Sequence, residues 1–186
     1  RMAYMIASGC ARPEECLAIT FTRKAAQEMR DRIAELMPDL GGKVTVTTFH
    51  GLGRMILAEH AHRMGLPKNF LIASEPQKLE IIMSAAGVKK RKAKNLASTI
   101  SFHKRKGVAP VPGTVLGKAY DAYCAEMKSM AMLDFDDLIT LPVELLETEP
   151  EVLNELREKF RAVSVDEFQD VDRLQYRMLK LLCPPG

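Results

Sequence analysis

The sequence Val163-Ser164-Val165-Asp166-Glu167-Phe168-Gln169-Asp170 joins a short β-prone run to two adjacent acids. The apolar and β-branched residues predict a strand over residues 162–166 that ends at the acidic pair. Ligands of α/β proteins bind at the carboxyl ends of the strands, so Asp166 and Glu167 are candidates for metal binding and proton transfer. The alternative is a pair of solvated acids at an ordinary strand end, and an isolated Asp-Glu pair would favour it.

Two further strands are predicted upstream of this stretch, each followed by a helix. The first strand covers residues 17–21 (LAITF), and the second covers residues 44–48 (VTVTT). Thr22 can cap a helix over residues 23–37. Further helices are predicted over residues 1–9, 49–64, 151–160 and 171–182. Strands that alternate with helices predict an α/β fold with a mostly parallel sheet.

The middle of the chain has only helix-type patterns. Ser74 and Gln77 form a capping box for a helix through residue 86, and two more helices are predicted over residues 92–106 and 114–130. Another begins at Asp134, and Pro142 is expected to kink or end it. We therefore predict that residues 1–73 and 147–186 form the α/β part, and that residues 74–146 form an inserted all-helical subdomain.

Basic residues are concentrated in a stretch that lacks acids, because residues 81–120 contain no Asp or Glu. The cations of this stretch are Lys89, Lys90, Arg91, Lys92, Lys94, Lys104, Arg105, Lys106 and Lys118. Such a charge asymmetry points to a polyanionic partner. A solvated surface or a disordered basic loop is an equally good alternative on charge alone.

Three stretches resemble, in the same order, motifs of superfamily 1 DNA helicases of the UvrD/Rep/PcrA type. Residues 18–29 (AITFTRKAAQEM) are similar to motif Ia, in which Asn commonly stands at the position of Arg23. Residues 47–57 (TTFHGLGRMIL) are similar to the family's TFH segment, and residues 166–170 (DEFQD) to its motif II. Residues 133–138 (LDFDDL) resemble an element of the inserted helical subdomain, and we interpret their three acids as structural.

This resemblance implies a partial RecA-like P-loop NTPase sheet and the cofactors ATP and Mg²⁺. Asp166 would hold Mg²⁺, Glu167 would accept a proton from the attacking water, and Gln169 would belong to the nucleotide site. The parent protein would be an ATP-dependent DNA helicase in replication or repair. Its partners would be single-stranded DNA, single-strand/double-strand junctions and a second motor domain of the same polypeptide.

The candidate DNA-binding residues come from the two upstream motifs and from the basic stretch. They are Thr20, Phe21, Thr22, Arg23, Thr48, Phe49, His50, Lys89, Lys90, Arg91 and Lys92. Aromatic residues can stack on bases, while hydroxyls, His and cations can contact phosphates. Core packing is the alternative for Phe21 and Phe49, and hydrogen bonding at a helix start is the alternative for His50.

The sequence has no Gly-x-x-x-x-Gly-Lys-Ser/Thr loop that would cradle phosphates. In the family that loop begins a helix that runs into a segment like residues 1–9, so we expect it within about ten residues upstream of Arg1. We expect the second motor domain beyond Gly186. On this interpretation the chain is an interior fragment of the first motor domain and hydrolyses ATP poorly or not at all by itself.

Three functions are alternatives to a helicase motor fragment. A helicase subunit of a RecB/AddA-like helicase–nuclease would differ by a nuclease domain outside this chain. A non-catalytic helicase-like domain that binds nucleic acid or protein is disfavoured by the intact Asp166–Glu167 pair. An unrelated α/β binding domain is disfavoured by the order of the three motifs.

Cysteine use and hydropathy indicate a cytoplasmic protein without a membrane span. The four cysteines form no Cys-x-x-Cys pair, which argues against a zinc site and fits a reducing, cytoplasmic environment. The sequence contains no run of about 18 apolar residues, so no membrane span is expected.

Overall fold

A computed structural model describes residues 2–184 of the chain. Arg1, the first residue of the predicted N-terminal helix, lies outside the described residues. The helices are α1 (Met2–Ala7), α2 (Arg23–Leu36), α3 (Phe49–His60), α4 (Glu75–Ala86), α5 (Lys90–Lys106), α6 (Val115–Ser129), α7 (Asp137–Thr148), α8 (Pro150–Lys159) and α9 (Arg173–Leu182). The strands are β1 (Cys16–Thr20), β2 (Thr45–Thr48), β3 (Leu71–Ile72), β4 (Met132–Leu133) and β5 (Ala162–Val165).

The three predicted strands form one parallel sheet in the order β2-β1-β5. Leu17 of the central strand aligns with Thr45 on one side and with Val163 on the other. Every residue of β1 is buried, as expected for a strand with neighbours on both edges. The predicted α/β class with a small parallel sheet is therefore confirmed.

The chain divides into two compact units, and the divisions fall inside α3 and α7. One unit comprises residues 1–55 and 143–186 and contains the three-stranded sheet. The other comprises residues 56–142 and contains α4, α5 and α6. The predicted subdomain boundaries after residues 73 and 146 stay a prediction.

Helix α2 shows how the sequence builds the first unit. The Thr22 side chain accepts a hydrogen bond from the backbone N–H of Ala25 at 3.0 Å, which satisfies one donor of the helix start as predicted. Ala26 and Ile33 face inward and are buried. They join an apolar cluster with residues of α1, β1 and β2. This burial holds α2 against the sheet and fixes the position of the loop after β1.

The second unit contains a small sheet that the sequence did not predict. Strands β3 and β4 pair in parallel, with Leu71 opposite Met132 and Ile72 opposite Leu133. Each strand has only two residues, too few for an alternating pattern to stand out beside long helices. The apolar core of this unit lies mainly between α4, α5 and α6 and includes Ile82, Ile100 and Tyr123.

Pro142 does not end its helix, which was one of the two outcomes expected for it. Helix α7 continues for six residues beyond Pro142, to Thr148. Val143, Leu145 and Leu146 are all buried, so apolar packing holds the helix where proline removes one backbone hydrogen bond. Among residues 2–184, no helix combines the length and apolar character needed to cross a membrane.

Candidate functional site

The acidic pair lies at the carboxyl edge of the three-stranded sheet. The backbone N–H of Asp166 donates to the carbonyl of Ile19 at 2.9 Å, so the pairing of β5 with β1 extends to the first acid. The side chains of Asp166 and Glu167 are both exposed. Neither forms an ion pair with a described residue, so both carboxylates are open to a cation or to water.

Glu167 adopts a backbone conformation that is uncommon for a residue with a side chain. Its φ is 49° and its ψ is 46°, which places it in the left-handed region at a cost of about 1–3 kcal/mol. A short 3-10 turn follows over Phe168–Asp170. Within it, the Gln169 side-chain amide donates to Oε2 of Glu167 at 2.5 Å. Gln169 therefore orients the Glu167 carboxylate.

The ends of β1 and β2 lie at the same edge, with Thr20 aligned to Thr48. Thr20 is fully buried, and its hydroxyl donates to the Thr22 carbonyl at 3.1 Å. The Thr48 hydroxyl accepts from the backbone N–H of Gly51 at 3.1 Å, at the start of α3. These threonine hydroxyls, like that of Thr22, therefore make contacts that shape the loops after the strands.

The aromatic residues at this edge pack against each other. The rings of Phe21 and Phe49 are 5.6 Å apart between centroids and tilted by 58°. Phe49 is buried and Phe21 is half-buried, so Phe49 has no face available to a nucleic-acid base in this structure. Arg23 is exposed and His50 is half-buried. Of the candidates at this edge, Arg23 and Thr22 are the most accessible.

The basic candidates lie in the other unit, at the start of α5. Lys89, Lys90, Arg91 and Lys92 are all exposed, and none forms an ion pair within residues 2–184. Helix α5 has no acid in its first turn, although cations are unfavourable at that positive end of the helix dipole. We call these four residues the basic cluster. Cations at this end destabilise the isolated helix, whereas a bound anion would compensate their charge.

One cation of the basic stretch faces inward. The Lys104 Nζ lies 2.9 Å from Oδ2 of Asp134 and 2.7 Å from Oδ1 of Asp137. Lys78 is also buried and lies 3.2 Å from Asp134 and 3.0 Å from Asp136. Lys104 therefore does not belong to the polyanion-binding surface that the charge pattern suggested.

The three aspartates of this cluster have structural partners. Asp134 accepts from the backbone N–H of Asp137 at 3.0 Å, and Asp137 accepts from that of Asp134 at 2.9 Å, which caps the start of α7. Burial opposes ionisation, but Lys104 and Lys78 lower the pKa of Asp134 well below its ordinary value. Burial and the neighbouring Asp134 raise the pKa of Asp137 to about 6. The structural interpretation of these acids is confirmed.

Comparison with known proteins agrees with this architecture. The family model described as the UvrD/REP helicase N-terminal domain matches residues 1–186. The chain belongs to this family.

Curated relatives of this UvrD/REP N-terminal domain include proteins named ATP-dependent DNA helicase PcrA. Those from Staphylococcus aureus (strain Mu50 / ATCC 700699) and Bacillus subtilis (strain 168) are 32% and 33% identical to it, over 98% of this chain. That from Leuconostoc citreum is 32% identical, also over 98% of this chain. The matched region covers 27%, 26% and 26% of these relatives, respectively. The chain therefore spans about a quarter of the length of these relatives.

The predicted site residues of this UvrD/REP domain thus fall into three groups that differ in position and exposure. The acids Asp166 and Glu167 are accessible at the sheet edge, whereas Thr20 and Phe49 are buried beneath it. The basic cluster is exposed in the second unit. Sequence reasoning missed the contact between Gln169 and Glu167, because the left-handed conformation of a glutamate has no signal in the sequence.

Proposed function

We propose that this chain is part of the ATP-hydrolysing first motor domain of a DNA helicase. The observation that carries the proposal is the exposed Asp166–Glu167 pair at the carboxyl edge of a parallel sheet, in a chain of the UvrD/REP family. The names of its PcrA relatives support the same activity. We further propose that the chain works within a longer polypeptide that supplies the phosphate-binding loop and a second motor domain.

Asp166 and Glu167 have separate roles in this proposal. Asp166 offers an exposed carboxylate oxygen, the ligand type that Mg²⁺ prefers, and would hold the ion beside the nucleotide. Bound Mg²⁺ neutralises charge on phosphate oxygens during phosphoryl transfer. Glu167 would take the proton of the attacking water, which requires a carboxylate near the metal that is not consumed as its ligand. Gln169 would keep the Glu167 carboxylate in the required orientation.

The nucleic-acid contacts that we propose involve accessible groups in each unit. Thr22 caps α2 and Arg23 begins it at the sheet edge, and Phe21 and His50 are partly accessible. Helix starts and cations contact phosphates, and a partly open ring can stack on a base. The basic cluster would add electrostatic affinity. The proposed partners are single-stranded DNA and its junctions with duplex.

The test is the Glu167→Gln variant in a protein that contains this chain together with a phosphate-binding loop. We expect ATP binding to be retained and ATP hydrolysis, with and without single-stranded DNA, to fall by roughly 100-fold or more, because a general base contributes about that factor. Glu158→Gln, an exposed acid on α8, is the matched control and should leave hydrolysis unchanged. Undiminished turnover in Glu167→Gln would refute the assignment of the base.

A further inference from the structure

A cleft of about 320 Å³ lies in the second unit and has no part in the proposed motor function. It is formed by one face of α4, the last turn of α6 and the turn that links α6 to β4. Its lining residues are Gln77, Glu80, Ile81, Ser84, Glu126, Met130 and Met132. Its volume is at the lower end of the range for small-molecule sites.

The local structure explains why this surface is concave. The four α4 residues in the lining are spaced three and four positions apart, so they share one helix face. Opposite them, Ala131 has a φ of 53°, in the left-handed region. Its N–H donates to the Lys128 carbonyl at 3.1 Å, and its carbonyl accepts from the Leu71 N–H at 2.9 Å. This fixed, strained turn presents Met130 and Met132, on either side of Ala131, to the cleft.

The lining combines apolar surface with uncompensated negative charge. Ile81 is buried, and the thioethers of Met130 and Met132 are polarisable side chains that adapt to varied aliphatic ligands. The carboxylates of Glu80 and Glu126 form no ion pair with any residue among 2–184, and the lining contains no cation. Such a site repels phosphate and attracts a positive group that is carried on an aliphatic chain.

We propose that this cleft binds an aliphatic ammonium ion, supplied either by a free polyamine or by a lysine side chain of another protein. The alkyl chain lies on Ile81 and the two methionines, and Glu80 and Glu126 receive the ammonium. This site is separate from the basic cluster, because the two surfaces carry opposite charge and favour opposite ligands.

The experiment uses the full 186-residue chain with ¹³C-labelled methionine methyl groups. Met130→Leu and Met132→Leu variants assign the two cleft methyl signals, and buried Met127 reports on folding. Spermidine is the free-amine probe; the protein-borne probe is a short Leu-Lys-Leu peptide, compared with its lysine-acetylated form. We expect saturable shifts of the Met130 and Met132 signals with at least one of the two amines and none with the acetylated peptide.

Paired charge variants separate a built site from general attraction. Glu80→Gln/Glu126→Gln should raise the Kd for the bound amine by roughly tenfold or more, because it removes the charge-assisted contacts. Glu75→Gln/Asp121→Asn, on the same two helices but outside the lining, changes net charge equally and should change the Kd less than about twofold. Binding of spermidine alone identifies a free amine as the ligand, and binding of the peptide alone identifies a protein. Equal Kd changes in the two double variants, or unmoved Met130 and Met132 signals, would overturn the proposal.

Discussion

At the scale of single residues, Gln169 has two candidate roles, which are to orient the Glu167 carboxylate or to bind the nucleotide directly. The family resemblance implied that it belongs to the nucleotide site, and in the structure its amide lies 2.5 Å from Oε2 of Glu167. If Gln169 orients the base, Gln169→Ala should lower kcat for ATP by roughly tenfold and leave KM nearly unchanged, since only part of the general-base contribution is lost. A raised KM with unchanged kcat would instead show direct nucleotide binding. Steady-state kinetics of the parent protein measure both constants.

The charged variant Gln169→Glu gives an independent test of the same residue. A carboxylate at position 169 cannot donate a hydrogen bond to Oε2 of Glu167, and it repels the Glu167 carboxylate. We therefore expect kcat for ATP to fall in Gln169→Glu at least as far as in Gln169→Ala, with KM nearly unchanged. A kcat closer to the wild-type value than that of Gln169→Ala would mean that Gln169 does not act through Glu167.

The sequence was sufficient to predict that Asp166 and Glu167 lie at the end of a strand. It was not sufficient to predict the geometry of their loop. A strand that ends in two acids is visible as a pattern, because strand periodicity and charge are local properties. The left-handed backbone of Glu167 and the burial of Thr20 depend on how β1 pairs with β5 and on packing under the edge. Those constraints come from residues more than 140 positions apart in the chain, as the Ile19–Val165 pairing shows.

At the scale of helices, the cations of α5 also differ in burial in a way that depends on packing between distant residues and not on local sequence. The charge pattern grouped Lys104 with Lys94, but Lys104 faces inward to Asp134 and Asp137, whereas Lys94 is exposed. The sequence shows that the helix is basic; only its packing against α6 and the start of α7 shows which cations are used internally. Likewise, the length of α7 is set by the burial of residues around Pro142, which propensity does not register.

We expect Lys104→Met to lower the free energy of unfolding by about 3–5 kcal/mol, because it leaves the buried carboxylates of Asp134 and Asp137 with less compensating charge. Urea unfolding of the chain measures the change. Lys94→Met, on the same helix but exposed, is the matched control and should change stability by less than about 0.5 kcal/mol. A similar small change in both variants would show that the buried network does not stabilise the second unit.

At the scale of the whole molecule, the two units carry different chemistry. The first holds a parallel sheet with accessible acids at its edge, and the second holds the basic cluster on a helix start. The alternation of predicted strands and helices, interrupted by a stretch with only helix-type patterns, predicted this α/β architecture with helical middle residues. The division of the chain inside α3 and α7 could not be predicted, because continuous helices carry no boundary signal in their composition.

The basic cluster gives the last prediction, on how the chain binds single-stranded DNA. Each phosphate contact to a single strand contributes about −0.7 to the slope of log K against log salt concentration. Changing Lys89, Lys90, Arg91 and Lys92 to Gln should therefore weaken binding to an oligothymidine and reduce the slope by up to about 3. Fluorescence anisotropy at several salt concentrations measures both quantities.

The control for this prediction removes the same amount of charge elsewhere in the second unit. It changes four exposed lysines to Gln, namely Lys68, Lys106, Lys118 and Lys128. If the cluster contacts phosphates directly, the control should keep most of the wild-type slope, because charges beyond a Debye length of about 8–10 Å are screened. Equal loss of slope in the two variants would mean that net charge alone attracts DNA, and the cluster would then be an ordinary solvated surface.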